Sequence, residues 1–147
     1  MALDVLTETV IDRACEQVSA YAGDPSNAPE WYANITSVRW QTPPPAAVGS
    51  RLDFVARFLG RTMAYTYEIT VLDADRLVMR TAQGPFPMET TYTWRPETPS
   101  STRMTLRNRG GPTGFAAITA PVMAMAVRRA NEKDLARLKR IMEAGAG

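Results

Sequence analysis

The sequence predicts an α+β fold: a curved antiparallel sheet of about seven strands, two short helices and one long C-terminal helix. Residues 5–109 contain segments in which apolar and polar residues alternate, and most are separated by short turns, which is typical of antiparallel hairpins. Residues 114–143 contain no turn signal except Pro121, and a run of this length is typical of a helix. Such a sheet and helix bury their apolar surfaces most simply if the sheet curls around the helix.

The first elements are one strand and two short helices. Residues 5–11 alternate and predict the first strand. Asp12 is a suitable N-cap for a helix that runs to Tyr21. Residues 23–25 predict a turn, and Pro29 is well placed as the first residue of a second short helix. The sheet is expected to resume after this helical insertion.

Six further strands are predicted from the same alternation of apolar and polar residues. They are expected at residues 35–41, 50–59, 62–72, 76–82, 86–95 and 102–109. The three prolines at 43–45 predict a stiff extended linker, because proline cannot donate a hydrogen bond to a β-ladder. Gly60 and Arg61 predict a tight hairpin turn.

The long predicted helix has one apolar face along its whole length. This face consists of Ala120, Ala124, Val127, Asn131, Leu135, Leu138 and Met142. Four more apolar side chains in the first half lie on the opposite side, at Phe115, Ile118, Val122 and Met125. We expect the sheet to cover one face of this half, and short helices, a partner or a ligand to cover the other. Pro121 removes a backbone donor and should bend the helix near its middle.

Size, charge and composition exclude several classes of protein. With 147 residues, 45% apolar and 22% charged, the chain has the composition of one soluble globular domain spanning residues 1–147. A net charge of +2 with dispersed basic residues argues against a nucleic-acid partner. Cys15 is the only cysteine, and no apolar run is long enough to cross a membrane. We therefore expect a cytoplasmic protein without a signal peptide and without integral membrane contact.

The absence of histidine restricts the possible chemistry. It excludes Ser–His and Cys–His nucleophile pairs and most zinc sites. Acid–base chemistry would fall to Asp, Glu, Tyr or Cys15, and Cys15 is more simply interpreted as a small buried packing residue. We expect neither a metal ion nor another cofactor.

Four short motifs occur in the same order as in a known superfamily. Residues 9–18 resemble the I-D-A-x-x-E-x-V opening of the START-like (SRPBCC) superfamily, and residues 24–31 resemble its D…P-x-W segment. Residues 48–50 match its V-G-T strand entry, and residues 134–143 resemble its D-L-x-x-L-K-x-x-L-E ending. The resemblance covers essentially the whole chain and is closest to the polyketide cyclase/dehydrase and lipid-transport-like branch.

This resemblance implies a helix-grip fold with a cavity between the curved sheet and the long helix. Members of the superfamily bind lipids, sterols, polyketides or hormones, and a minority catalyse cyclisation or dehydration. The fold alone does not distinguish these functions.

The alternation of the strands places one set of residues on the predicted concave face. They are Trp40, Phe54, Phe58, Tyr65, Tyr67, Met79, Met88, Tyr92, Trp94, Leu106 and Asn108. On the helix, Val127, Asn131 and Met125 are expected to face them. Apolar walls with a few polar groups are typical of a pocket for an apolar small molecule. The alternative is that these side chains fill a closed core and leave no cavity.

Four charged residues, one on each of four strands, lie on the opposite face. They are Glu68, Arg80, Glu89 and Arg107. The simpler interpretation is a row of cross-strand ion pairs exposed to solvent. Alternatively, β-bulges turn one glutamate and one arginine inward, where they could serve as a base and a carbonyl-polarising group. The weak candidates for catalysis are therefore Tyr65, Tyr92, Glu68 and Arg107.

Three functions are compatible with this pattern. The first is binding of a hydrophobic small-molecule ligand. The second is a polyketide cyclase/dehydratase-type enzyme that acts by positioning its substrate, with assistance from tyrosine or arginine. The third is homodimerisation through Phe115, Ile118 and Val122, which is compatible with either of the others. Binding ranks above catalysis because the sequence contains no histidine, no obvious nucleophile and no paired inward carboxylates.

Overall fold

The computed structural model describes residues 3–111 and 119–145 and confirms the predicted fold class. The strands are β1 (Leu3–Ile11), β2 (Ile35–Trp40), β3 (Arg51–Phe58), β4 (Arg61–Asp73), β5 (Arg76–Gln83), β6 (Met88–Thr98) and β7 (Ser101–Gly110). The helices are α1 (Cys15–Ala22), α2 (Ala28–Trp31) and α3 (Ala120–Ala144), and a single 3₁₀ turn (Pro25–Asn27) joins α1 to α2. None of the described helices is both long and apolar enough to span a membrane.

The seven strands form one antiparallel sheet in the order β1-β7-β6-β5-β4-β3-β2. Consecutive strands from β2 to β7 are hairpin neighbours, and β1 closes the other edge by pairing with β7. The pairing register shifts in β2, twice between β4 and β5, and near the end of β6. Such irregularities bend strands and increase their twist, which accounts for the curvature of the sheet.

The long helix α3 lies across the concave face and is fastened to the edge strand β1. Arg128 Nη1 donates to the carbonyl oxygen of Leu6 at 2.9 Å, and Lys139 Nζ donates to that of Val10 at 2.6 Å. Apolar packing adds to these bonds because Met123 is buried against Leu3 and Val5.

The beginning of α1 differs from the prediction. The helix starts at Cys15 with Ala14 at the N-cap, and Asp12 does not cap it. The backbone N–H of Asp12 instead donates to Glu143 Oε2 at 2.9 Å, and Arg13 Nη1 donates to the carbonyl oxygen of Met142 at 2.7 Å. Residues 12–13 therefore bind the end of α3, and this long-range contact overrides the local capping preference.

The predicted bend at Pro121 is wrong. The helix α3 begins at Ala120, so Pro121 lies in its first turn, where a backbone N–H has no partner within the helix. The predicted start at residue 114 is also wrong, since Thr119 has extended backbone. Phe115 and Ile118 lie outside the described residues.

The predicted apolar face of α3 is buried over its second half. The buried residues of α3 are Met123, Asn131, Asp134, Leu135, Leu138 and Met142. Asn131, Leu135, Leu138 and Met142 belong to the predicted face, whereas Met123 and Asp134 do not. Met125 and Val122 are exposed.

The turn between β3 and β4 lies one residue earlier than predicted. Its two residues are Leu59, with φ of 50°, and Gly60, with φ of 79°. Two consecutive positive φ angles are typical of the tight turn whose twist matches that of paired strands. Leucine is an uncommon choice there, and its side chain is exposed.

Candidate functional site

A cavity of about 140 Å³ lies between the concave face of the sheet and the first half of α3. Ten of the residues predicted to face a ligand line it. They are Phe54, Phe58, Tyr65, Tyr67, Met79, Met88, Tyr92, Asn108, Val127 and Asn131. Most of these side chains are apolar or aromatic, so the walls offer dispersion contacts and few hydrogen-bonding groups.

Four residues predicted to face the cavity lie elsewhere. Trp94 is buried beside α1, at the far end of the concave face, and its Nε1–H donates to Met104 Sδ at 3.2 Å. Trp40 Nε1 donates to Ser26 Oγ at 2.8 Å, outside the cavity. Leu106 is fully buried in the core, and Met125 faces outward. Strand parity identifies the face of the sheet correctly, but α1 and the core cover part of that face.

Several lining residues were not predicted. They include Tyr32, Asn34, Met63, Thr90, Met123, Ala130 and Asp134. Met63 shares the parity of Tyr65 and Tyr67, so the alternation of β4 contains the signal for it. Ala130 and Asp134 continue the helical spacing from Val127 and were identifiable by the same periodicity. Tyr32 and Asn34 lie in the connection between α2 and β2, where no periodicity exists.

A chain of hydrogen bonds along the cavity wall joins α3 to the sheet. Asn131 Nδ2 donates to Asn108 Oδ1 at 2.6 Å, and Asn108 Nδ2 donates to Thr90 Oγ1 at 3.0 Å. The hydroxyl groups of Thr90 and Tyr67 share a further bond of 2.9 Å. These polar side chains satisfy one another, so they fix the position of the helix without leaving free charges in the wall.

Two tyrosines on the cavity wall bond to each other. The hydroxyl groups of Tyr32 and Tyr92 are 2.7 Å apart. Burial raises the pKa of both phenols well above the usual value, and each also interacts with the other. Burial likewise raises the pKa of Tyr65, and it raises that of Tyr67 to about 12. All four phenols are therefore protonated at neutral pH and can act as donors but not as bases.

Asp134 is the one carboxylate on the cavity wall among the described residues. Its side chain is buried, and Oδ1 accepts a hydrogen bond from the backbone N–H of Ala33 at 3.0 Å. Burial raises the pKa of this carboxyl to about 6, while the bond from Ala33 and the charge of Arg137 oppose the shift. A carboxyl group with this pKa can exchange a proton near neutral pH.

Asn34 presents an unsatisfied acceptor at the same end of the cavity. Its Oδ1 atom is buried and has no hydrogen-bond partner within the described part of the chain. An unpaired buried carbonyl oxygen destabilises a protein by about 1–3 kcal/mol, so a donor that reaches this atom would be stabilising. This oxygen is suited to accept a hydrogen bond from a bound molecule.

The charged residues of the outer face do not reach the cavity. The ion pairs of this face include Arg51–Glu68 at 2.9 Å, Arg80–Glu89 at 3.4 Å and Arg107–Asp4 at 2.6 Å. Of the four weak candidates for catalysis, Tyr65 and Tyr92 line the cavity, whereas Glu68 and Arg107 do not. Within residues 3–111 and 119–145, no cluster of acidic or cysteine side chains could hold a metal ion.

Solved structures from bacteria have the same fold. A protein of Thermus thermophilus superposes with a TM-score of 0.82 at 20% identity, over 98% of this chain and 99% of that one. A START superfamily protein from Mycobacterium smegmatis gives 0.84 at 14% identity, over 97% and 99%. The Zhui aromatase/cyclase from Streptomyces sp. R1128 gives 0.79 at 13% identity, over 100% and 99%. At these identities, the likeness establishes the fold only.

Comparison with curated protein sequences finds no match. The sequence model of one family, described as polyketide cyclase/dehydrase and lipid transport, matches residues 3–143. This match spans nearly the whole chain and agrees with the START-like resemblance of the four sequence motifs. The chain belongs to the polyketide cyclase/dehydrase and lipid transport family.

Proposed function

We propose that the protein binds an apolar small molecule, such as a lipid or a polyketide, in the cavity between the sheet and α3. The observation that carries this proposal is the cavity itself, which is lined mainly by aromatic and apolar side chains with a few convergent polar groups. The predicted ligand-binding residues Trp40, Trp94 and Leu106 are not part of this site, because they lie away from the cavity.

Four methionines determine which ligands the cavity can accept. Met63, Met79, Met88 and Met123 all line it. A volume of about 140 Å³ is comparable to engineered cavities that hold one aromatic ring, and typical ligand sites are larger, at about 300–1,000 Å³. Methionine side chains are unbranched and adaptable, so they can move apart around a larger ligand. The site therefore suits a compact ring system or a narrow chain.

Two features of the wall orient such a ligand. The unpaired Oδ1 of Asn34 accepts a hydrogen bond from a hydroxyl or amide group. Tyr65, whose phenol stays protonated, donates to a carbonyl group. Both groups are largely shielded from water, and there a hydrogen bond discriminates strongly between ligands that can and cannot form it.

The direct test is titration with the neutral fluorescent probe N-phenyl-1-naphthylamine, followed by its fluorescence enhancement. Ala130 lines the cavity, and Ala136 is exposed on the same helix. Filling the cavity through Ala130→Phe should weaken probe binding by about tenfold or more, while Ala136→Phe should not. Equal binding by the wild type and both folded variants would show that the probe binds elsewhere. If Ala130→Phe does not fold, Ala130→Leu is the milder replacement.

The second candidate function is catalysis of the cyclase/dehydratase type. The observation that favours it is the buried carboxyl group of Asp134 on the cavity wall. Substrate positioning would supply most of the rate, with Tyr65 or Tyr92 as donor to a carbonyl group. Asp134 would take a proton from the carbon next to that carbonyl, and this carbon would attack a second carbonyl carbon of the substrate. The carbon–carbon bond forms as the π bond of that second carbonyl breaks, and its oxygen takes the proton from Asp134 to become a hydroxyl group. Loss of this hydroxyl with a second proton from the attacking carbon releases water. Incubation with a poly-β-ketone thioester should then give a product lighter by one water in mass spectrometry. Asp134→Asn should slow this reaction by about 100-fold, and an unchanged rate would exclude the carboxylate as base.

Partners and location form a further part of the proposal. We also propose a cytoplasmic location and no nucleic-acid partner, on the basis of the single cysteine and the small net charge of +2. A homodimer through Phe115, Ile118 and Val122 is supported only by Val122, which is exposed. Sedimentation equilibrium of the wild type and Val122→Glu tests it, because only a dimer that uses this face would dissociate in the variant.

A further inference from the structure

A groove on the surface adjoins the cavity, between the β3–β4 turn and the first half of α3. Its exposed walls include three apolar side chains, Leu59, Val122 and Met125, and three cationic side chains, Arg57, Arg129 and Lys133. We call this surface the cationic groove. It belongs to neither the cavity wall nor the ion-paired outer face of the sheet.

The apolar side chains of the cationic groove are unusually exposed to solvent. Five large apolar side chains are exposed in the described part of the chain, and Leu59, Val122 and Met125 are three of them, at 47%, 52% and 59% exposure. Single exposed apolar residues are common, but a cluster of them marks a binding surface. Leu59 even occupies a turn position with positive φ, where asparagine or glycine is preferred.

The charge of the groove selects its occupant. None of the three cations takes part in a salt bridge within residues 3–111 and 119–145, unlike Arg51, Arg80 and Arg107 on the outer face. Asp134 is the one acidic residue that lines the groove in the described chain, and it is buried with its carboxylate bonded to Ala33. The three cations give the groove a positive potential beside its exposed apolar side chains, so the groove is suited to an anionic group attached to an apolar body.

The cavity and the cationic groove are adjacent and share part of their walls. Asn34, Phe58, Ala130 and Asp134 line both of them. A ligand that exceeds the small volume of the cavity would reach the groove by passing between these four side chains.

We propose that the cationic groove binds the anionic end of an amphiphilic ligand, a carboxylate, sulfonate or phosphate group, whose apolar body lies in the cavity. This inference rests on the proposed function, because it assigns the orientation and the chemical class of the ligand in that same site. The apolar walls of the groove cover the part of the body next to the acidic group, and the three cations neutralise its charge.

Two fluorescent probes with the same aromatic body separate these contributions. N-phenyl-1-naphthylamine is neutral, and 8-anilino-1-naphthalenesulfonate carries an added sulfonate. The triple variant Arg57→Gln/Arg129→Gln/Lys133→Gln should bind the sulfonate about tenfold more weakly than the wild type and bind the neutral probe unchanged. Raising the salt concentration from about 20 mM to about 500 mM should weaken only the sulfonate in the wild type.

A matched control removes the effect of net charge. Arg76→Gln/Arg95→Gln/Arg140→Gln replaces three exposed arginines that line neither the cavity nor the groove. Both triple variants take the formal net charge from +2 to −1. Equal losses of sulfonate binding in the two variants, or no loss in either, would overturn the proposal. Failure of the neutral probe to bind the wild type would instead reject the proposed function.

The remaining outcomes identify a different occupant. Flotation with vesicles of phosphatidylcholine, with and without phosphatidylglycerol, tests whether the groove serves a lipid surface. If the groove variant loses vesicle binding but retains sulfonate binding, the groove docks on membranes and the proposal is wrong.

Free dodecanoate should displace 8-anilino-1-naphthalenesulfonate from the wild type more strongly than dodecanol does. Equal displacement by the two compounds would also contradict the proposal.

Discussion

The two halves of α3 face different interiors. The second half packs into a solid core, in which Leu135, Leu138 and Met142 are buried beside Trp31 and Trp94. The first half borders the cavity with Met123, Val127 and Ala130, and its apolar packing is confined to a small cluster with Leu3 and Val5. We call the second half of α3, which packs into the core, the sealed half, and the first half, which borders the cavity, the hollow half.

The cause of the difference is the size of the side chains and the elements that cover them. The sealed half has leucine at the helix positions that point into the sheet, and α1 and α2 add Val18 and Trp31. The hollow half has Val127 and Ala130 at the corresponding positions. Apolar packing is therefore concentrated in one half, and the proposed binding site lies in the other.

The largest expected effect lies in the sealed half. Leu138 is fully buried, so Leu138→Ala should destabilise the protein by about 2–5 kcal/mol, since it leaves a cavity that neighbours cannot fill. Val127→Ala in the hollow half should have a much smaller effect, because Val127 already borders empty space. Urea unfolding of both variants measures the difference. Equal losses would show that the two halves are packed alike.

The next effect concerns the charge in the hollow half. The pKa of Asp134 is raised from 3.8 to about 6, so between these values the folded protein binds more protons than the unfolded chain. Stability should therefore fall as the pH rises from about 4 to about 6 and stay lower above that range, by about 3 kcal/mol. Asp134→Asn should be more stable than the wild type at pH 7 and should lose its part of this pH dependence. Thermal unfolding across this range gives both quantities, and identical pH profiles would contradict the burial effect.

A smaller effect is expected at the boundary between the two halves, at Asn131. Asn131→Ala leaves Asn108 Oδ1 without its donor and should destabilise the protein by about 1–2 kcal/mol. Asn131→Asp is the paired variant, because it keeps the size of the side chain but replaces the donor with an acceptor. Both variants should unfold at lower urea concentration than the wild type. Unchanged midpoints would mean that the bond between helix and sheet contributes nothing.

The fold was predictable because its elements have strong local periodicity. Alternation of apolar and polar residues predicts all seven strands, and the alternation of β4 also places Met63 on the same face as Tyr65 and Tyr67. The pairing of β1 with β7 brings together residues about a hundred positions apart, such as Val5 and Asn108, and no local pattern encodes it. The predicted start of α3 at residue 114 differs from the observed start at Ala120. Proline is common in a first helical turn, so Pro121 is compatible with the later start.

The site was only partly predictable, because alternation along a strand predicts the face of the sheet on which a side chain lies but not the elements that pack on that face. Trp94 and Leu106 share a face with Tyr92 and Asn108, yet only Tyr92 and Asn108 line the cavity. Asn34 lies in a connection without periodicity. Asp134 follows the helical spacing, but a carboxylate is rarely expected in an apolar wall, because burial of its charge is unfavourable.

The smallest effect is expected outside both halves, on the outer face of the sheet. Arg107 and Asp4 form a bidentate pair that is exposed to solvent, and exposed pairs are screened by water and salt. Arg107→Ala should therefore leave the affinity for N-phenyl-1-naphthylamine unchanged, and its urea midpoint should match that of the exposed control Arg140→Ala. A loss of probe affinity in Arg107→Ala alone would show that the outer face communicates with the cavity. In that case residues on the outer face of the sheet, and not only those that line the cavity, would affect probe binding.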